Sequence, residues 1–277
     1  MDLVSELKRC LKDITIFSQS LSQVTLRSYQ QAAAQSIVHS VLARLGLSFV
    51  VMFPRQSGKN ELQAQIEAYL LTILQLRDTE MVKVSPTWKP QSLNAMRRLE
   101  RVLDANLLTR GQWHKESGYI YRLGKARITF LSGQPESNIV GATASTLLEV
   151  DEAQDIQIAK FDKDIAPMAA STNATRVFYG TAWTSQTLLA RELRHARAAQ
   201  ESDGIQRLFV IDAETVSREI PAYGKFVAAQ IAVMGRQHPI IKTQFFCEEI
   251  EAQGGMFPPQ RIALLKGNHP PQLAPMR

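Results

Sequence analysis

Cysteine is scarce in this chain of 277 residues. Cys10 and Cys247 stand far apart, and neither has metal-ligand spacing around it. That excludes a disulfide framework and a cysteine-based metal site, and it suits reduced thiols in a cytosolic setting. Long apolar runs are missing as well: none approaches the roughly 20 residues of a membrane span. Residues 1–16 hold Asp2, Glu6, Lys8, Arg9, Lys12 and Asp13 where a secretory leader needs an apolar core. No repeat and no low-complexity tract is present. Aspartate thins out late in the chain, where only Asp203 and Asp212 follow Asp164. The remaining composition, 45% hydrophobic and 21% charged, is that of a globular chain with a substantial core. A net charge of +6 and a pI of about 9.4 are compatible with a polyanionic partner without requiring one.

Residues 48–61, SFVVMFPRQSGKNE, depart from this ordinary background. They read as a short apolar strand at 49–53, a basic loop at 54–59 and the first turn of a helix. This is the layout of a phosphate-binding P-loop, in which backbone N–H groups converge on an anion and the helix N-terminus adds partial positive charge. Gly58 lets the backbone come close, and Lys59 supplies a charge that reaches the outer phosphates. Pro54, Arg55, Gln56, Ser57, Gly58, Lys59, Asn60 and Glu61 are therefore the candidate phosphate cradle. Two positions depart from the usual pattern: Phe53 stands for its first glycine, and Asn60 for the closing Ser or Thr. Alone, a Gly-Lys pair in a basic loop often marks only a turn.

A second stretch changes that weighting. Residues 146–154, TLLEVDEAQ, form an apolar strand ending in adjacent carboxylates, Asp151 and Glu152. Asp followed by Glu is also a common helix start. Here, however, the pair follows a strand–RQSGK–helix unit at single-domain spacing. In nucleotide hydrolysis one such acid holds Mg²⁺, usually through water, while the other orients and deprotonates the attacking water. Together the two stretches point to a P-loop NTPase.

The rest of the chain supplies the frame. Residues 3–17 have the spacing of one amphipathic helix, and LRSYQ at 26–30 leads into another. A glutamine just upstream of a P-loop can pair its carboxamide with both edges of adenine, which makes Gln30 a base-reading candidate with Arg27 or Tyr29 beside the ring; a plain helix start is the alternative. The helix after the loop, about 60–76, shows a buried stripe of Leu62, Ile66, Tyr69, Leu70 and Ile73. A strand at 81–85 is followed by a helix carrying Arg97, Arg98 and Arg101. A hairpin within 119–131 turns at Gly124-Lys125. A loop at 132–145 feeds the acidic strand, and residues 156–168 read as helical. The strand at 176–179 ends in Gly180-Thr181-Ala182-Trp183, where Thr181 is either a γ-phosphate sensor or a simple cap. The helix at 188–199 turns Leu189, Leu193 and Ala196 inward and Arg191, Arg194 and Arg197 outward, as a solvated or DNA-facing surface. A last strand at 207–211 precedes helices near 223–234 and 239–251. Alternation of strands and helices predicts an α/β fold with a mainly parallel sheet flanked by helices. The expected organisation is a core at 1–202, a small helical lid sub-domain at 203–265 and a linker at 266–277.

In motif order, LRSYQ at 26–30, PRQSGKN at 54–60, LLEVDEA at 147–153 and YGTAW at 179–183, the chain resembles the ATPase portion of a tailed-phage large terminase, the motor that packages DNA. The family's P-loop lacks the first Gly and carries an Arg, which accounts for Phe53 and Arg55. The resemblance implies a P-loop NTPase of the additional-strand, catalytic-glutamate type. It implies ATP and Mg²⁺ as ligands, with Gln30 reading adenine and Lys59 on the β- and γ-phosphates. Arg55 would stabilise the γ-phosphate, Asp151 would position Mg²⁺ with Asn60 beside it, Glu152 would activate water, and Thr181 would couple hydrolysis to movement. It further implies double-stranded DNA, a portal protein and a small terminase subunit as partners, a homo-oligomeric ring on the portal, and the host cytoplasm as location, with no membrane. Two family features are missing. No acidic cluster for the following nuclease is present, so 266–277 is expected to lead toward a nuclease domain outside this chain. Residues 134–149 contain no trans-acting Arg, leaving Arg122 or Arg127 as weak candidates. Two other readings stand beside this one: a helicase, which needs a second motor domain after Thr181, and a DNA-binding or assembly subunit with a degenerate nucleotide site.

Overall fold

Asp13 interrupts the first helical stretch. Its backbone is extended and its carboxylate accepts from the N–H groups of Thr15 and Ile16, so it ends one helix and caps the next. In the computed structural model, which describes residues 2–250, the single helix expected over 3–17 is therefore two, α1 (Leu3–Lys12) and α2 (Ile14–Leu21). After α3 (Ser28–Leu42) come β1 (Ser48–Met52), α4 (Lys59–Leu74), β2 (Thr79–Ser85) and α5 (Leu93–Ala105). A three-stranded meander comes next: β3 (Trp113–Glu116), β4 (Ile120–Leu123) and β5 (Ala126–Ser132). Then come β6 (Leu147–Val150), the single turn α6 (Ile158–Lys160), β7 (Thr175–Gly180) and α7 (Leu188–Asp203). The described chain closes with β8 (Leu208–Val210), α8 (Ala213–Glu219), α9 (Pro221–Met234) and α10 (Pro239–Phe246).

The eight strands make one sheet in the order β3-β4-β5-β2-β6-β7-β1-β8. From β5 to β8 every neighbouring pair is parallel, and β3 and β4 are antiparallel additions at one edge. Alternate residues feed two cores. Phe49, Val51 and Phe53 face the layer containing α2 to α5, whereas Val50 and Met52 face the layer of α7 and the 153–169 segment. Burial on both faces explains why these strands are continuously apolar. The β4–β5 hairpin turns at Gly124-Lys125 as expected. β3 carries no strand signal in the sequence, because Trp-His-Lys-Glu lacks apolar alternation.

Several expectations are corrected. Residues 156–168 do not form one helix but a series of short helical turns, the last with Pro167 near its start, where no N–H is available to continue the preceding turn. α4 is buried nearly all round rather than along a stripe, with Gln63, Gln65 and Glu67 inside and Ile73 only half-buried. The sheet covers one side of α4, and α2, α3 and α5 cover the others. Arg191 does not face solvent freely: it pairs with Asp162 at 2.8 Å, while Arg194 and Arg197 are exposed. Past residue 203 the main sheet continues, because β8 pairs with β1 (Val50↔Leu208 to Met52↔Val210). Phe209, Val216, Tyr223 and Phe245 also join the core that holds Phe49. The boundary expected at 203 falls at the last residue of α7, just ahead of β8. The linker expected at 266–277 lies outside the described residues.

Candidate nucleotide site

The loop after β1 is shaped by its own short contacts and by α3 behind it. The Ser57 hydroxyl donates to the Pro54 carbonyl at 2.6 Å, closing a tight turn. Gln56 (φ 63°) and Gly58 (φ 95°) take left-handed backbone, and Gly58 sits at the N-cap of α4. The Tyr29 hydroxyl donates to the Ser57 carbonyl and the Gln30 Nε2 to the Gly58 carbonyl, each at 2.8 Å. A Cβ at position 58 would lie 2.7 Å from Gln30 Nε2, so the glycine is required by this close approach as well as by its φ. The first-turn N–H groups of α4 have no intrahelical carbonyl and are available to an anion.

LRSYQ takes part in this arrangement. Gln30 is buried, and its Oε1 accepts the Arg27 N–H at 2.9 Å while its Nε2 holds Gly58. Both ends of the carboxamide are engaged. Arg27, Tyr29 and Gln30 brace the loop from behind and do not line the cavity in front of it. Ser57 is buried behind it too.

That cavity, of about 600 Å³, brings the two sequence motifs together. Pro54, Arg55, Gln56, Gly58, Lys59, Asn60 and Glu61 line it, with Asp151, Glu152 and Thr181. Gln91, Asn94, Arg98, Gln154, Asp155, Ala182, Trp183 and Gln244 complete the wall, and sequence reasoning assigned none of them to the site. Lys59 Nζ lies 3.0 Å from Glu152 Oε1. Glu152 takes left-handed backbone (φ 43°, ψ 52°), an uncommon conformation for a side chain of this size and one that clusters at functional sites. The buried Asp151 carboxylate accepts from Gln63 Nε2 at 2.9 Å. Gln154 joins the acidic pair to the end of β7: its Nε2 donates to Glu152 Oε2 at 2.8 Å, and its Oε1 accepts the Thr181 N–H at 3.3 Å. Gly180 makes room for that carboxamide. Arg55 is exposed, its guanidinium donating to Gln244 Oε1 at 3.1 Å and its carbonyl accepting from the Tyr223 hydroxyl at 2.9 Å. The two weak candidates for a trans-acting arginine are engaged elsewhere, Arg122 with Glu116 and Arg127 with Glu80.

The two acids are driven apart electrostatically. Burial pushes the Asp151 carboxyl up, with Lys83 opposing and the Glu152 charge adding. Burial also acts against ionised Glu152, but the Lys59 charge, the Gln154 and Lys59 hydrogen bonds and nearby Arg55 outweigh it, so its carboxyl lies below the usual range. Beneath Asp151 runs a fully buried polar chain. Lys83 on β2 pairs with Glu67 on α4 at 2.6 Å, and the Tyr179 hydroxyl on β7 donates to Glu149 on β6 at 2.9 Å. Burial and then the Glu67 charge push Glu149 well above the carboxylate range, because one lysine cannot keep two buried carboxylates ionised.

Among the described residues no group of three or more His, Cys, Asp or Glu side chains is arranged to hold a metal by itself. Asp151 and Asn60 present oxygen donors to the cavity. Such a sparse oxygen set fits Mg²⁺, which keeps several waters and binds through one or two carboxylates plus substrate phosphates. No described helix is long and apolar enough to cross a membrane.

No sequence-family model matches the chain, and no curated protein sequence does so either. Its structure is similar to solved ones. The large terminase of bacteriophage HK97 aligns over 82% of this chain with a TM-score of 0.65 and 16% identity. The chain spans about half of that protein, 51% of its length. A variant of the Thermus phage P74-26 large terminase ATPase domain aligns over 84% of this chain and 97% of its own, with a TM-score of 0.61 and 13% identity. The large terminase of the thermophilic bacteriophage D6E, in complex with ADP, aligns over 79% of this chain and 52% of its own, with a TM-score of 0.55 and 10% identity. The eight-stranded, mostly parallel sheet with its flanking helices accordingly has the fold of the solved large terminase ATPase domains.

Proposed function

We propose that this chain is the ATPase portion of a tailed-phage large terminase, which hydrolyses ATP to drive double-stranded viral DNA into a procapsid. One observation carries the reading: Lys59 and the Asp151-Glu152 pair, remote in sequence, line one cavity with Lys59 only 3.0 Å from Glu152. Lys59 binds the β- and γ-phosphates, whose oxygens compete with Glu152 for the same ammonium. Once released, the Glu152 carboxylate orients and deprotonates the attacking water. Gln154 holds the second oxygen of Glu152 and so fixes how the carboxylate is presented. Asp151 and Asn60 would hold Mg²⁺, which would offset charge developing on the phosphates. Arg55 stabilises the γ-phosphate from the exposed rim. Thr181, tied to Glu152 through Gln154, passes the hydrolytic event to the end of β7. In this reading the subunit works in the host cytoplasm and then in a homo-oligomeric ring on the portal, with the small terminase subunit as a further partner. A neighbouring subunit supplies any arginine acting in trans.

The test is nucleotide binding and phosphate release by the purified chain. Lys59→Ala is expected to lose both. Glu152→Ala is expected to bind Mg-ATP while losing turnover. Steady hydrolysis by Glu152→Ala removes that residue from its role, and a wild-type chain that binds no nucleotide overturns the ATPase reading.

A further inference from the structure

Three cationic side chains line the cavity: Arg55, Lys59 and Arg98. The first two belong to the P-loop. Arg98 comes from α5, and its NH1 lies 2.9 Å from Glu61 Oε2. Glu61 occupies the first turn of α4, and its other oxygen accepts from Gln65 at 3.0 Å. A carboxylate in that turn suits the helix dipole but repels an entering triphosphate. Arg98 screens that repulsion. Its guanidinium makes a single hydrogen bond among the described residues, leaving most of its five donors free in a side chain that is 37% exposed.

We infer that Arg98 is a catalytic residue of this site. Its guanidinium leaves Glu61 for the terminal phosphate of a bound nucleoside triphosphate within the same subunit, so α5 reports whether the third phosphate is present. This rests on the ATPase reading above. The competing account is a plain ion pair stapling α4 to α5, and the two differ in sign. Either substitution in the pair breaks a staple. Only loss of Arg98 removes a phosphate ligand, whereas loss of the Glu61 charge frees the guanidinium.

The experiment measures calorimetric binding of Mg-ATPγS and Mg-ADP to the wild-type chain, Arg98→Met, Arg98→Lys and Glu61→Gln, with thermal melts of each. Arg98→Met is expected to weaken ATPγS binding about tenfold and ADP binding by no more than about twofold, the difference expected from losing a charge-assisted contact to the third phosphate. Arg98→Lys falls between, because it keeps the charge and loses the fork. Glu61→Gln tightens ATPγS binding. The melting temperatures of Arg98→Met and Glu61→Gln drop by the same small amount, since both break one partly exposed pair. Equal weakening by both substitutions, or an ADP loss as large as the ATPγS loss, overturns the role of Arg98 while leaving the ATPase reading in place. A wild-type chain that binds neither nucleotide overturns both.

Discussion

At Glu152 the backbone accepts a left-handed conformation and the side chain accepts a lysine as partner, and both place a negative charge where phosphates arrive. The pair has a calculable pH signature. A carboxylate whose folded pKa lies below its ordinary 4.5 contributes stability that is present above that value and is lost as pH falls through the lower folded one. With Lys59→Met the largest compensating charge disappears, and burial then moves the Glu152 carboxyl upward instead. The gap in unfolding free energy between the wild-type chain and Lys59→Met should therefore be widest near neutral pH and close in acid, as pH drops through the carboxylate range. Urea titrations of both proteins at several pH values measure it. A gap that stays constant across the acid range would show that Glu152 carries no charge-dependent stabilisation from Lys59.

Among the elements, α3 carries two readings. LRSYQ stands just upstream of the P-loop, and its glutamine offers the donor and acceptor that adenine needs. In the fold the same carboxamide caps its own helix and holds Gly58. If Gln30 braces the loop, Gln30→Ala should weaken ATP and GTP binding by the same factor and lower the melting temperature; a base reader would lose ATP preferentially. Competition binding with the two nucleotides separates these outcomes. The strand-end motifs were legible because special residue types come directly after an apolar run: RQSGKN after β1, the acidic pair after β6 and GTAW at the end of β7. Parallel pairing then carries all three to one end of the sheet. Gln154 follows the acidic pair and Gly180 opens GTAW, but their contact needs β6 and β7 side by side. Arg98 and Gln244 carry no pattern at all, since only tertiary packing brings α5 and α10 to the cavity. Nothing in the sequence marks Glu67 and Lys83 as buried, because charged side chains read as surface unless their buried partner is known.

On the scale of the whole molecule, the sheet decides where the chain can be cut. The boundary expected at 203 makes a separate sub-domain of the segment that follows it. Instead β8 is hydrogen-bonded to β1, the strand that launches the P-loop, and the Arg55 N–H donates to the Gln244 carbonyl at 2.8 Å. Removing everything after 203 would expose an edge of β1 and uncover Phe49, which packs on Phe209 with ring centroids 6.4 Å apart. Burying an aromatic side chain contributes on the order of 2–3 kcal/mol, and several core side chains would go at once, against a total stability of about 5–15 kcal/mol for a typical domain. A chain ending at 203 should therefore lack a cooperative thermal transition by circular dichroism, whereas one ending at 250 should retain it. If the shorter chain melted cooperatively and still bound nucleotide, β8 and the helices after it would be an accessory to the site. If it does not, the lid elements and the phosphate loop are one folding unit, and movements of α10 reach Arg55 through backbone hydrogen bonding.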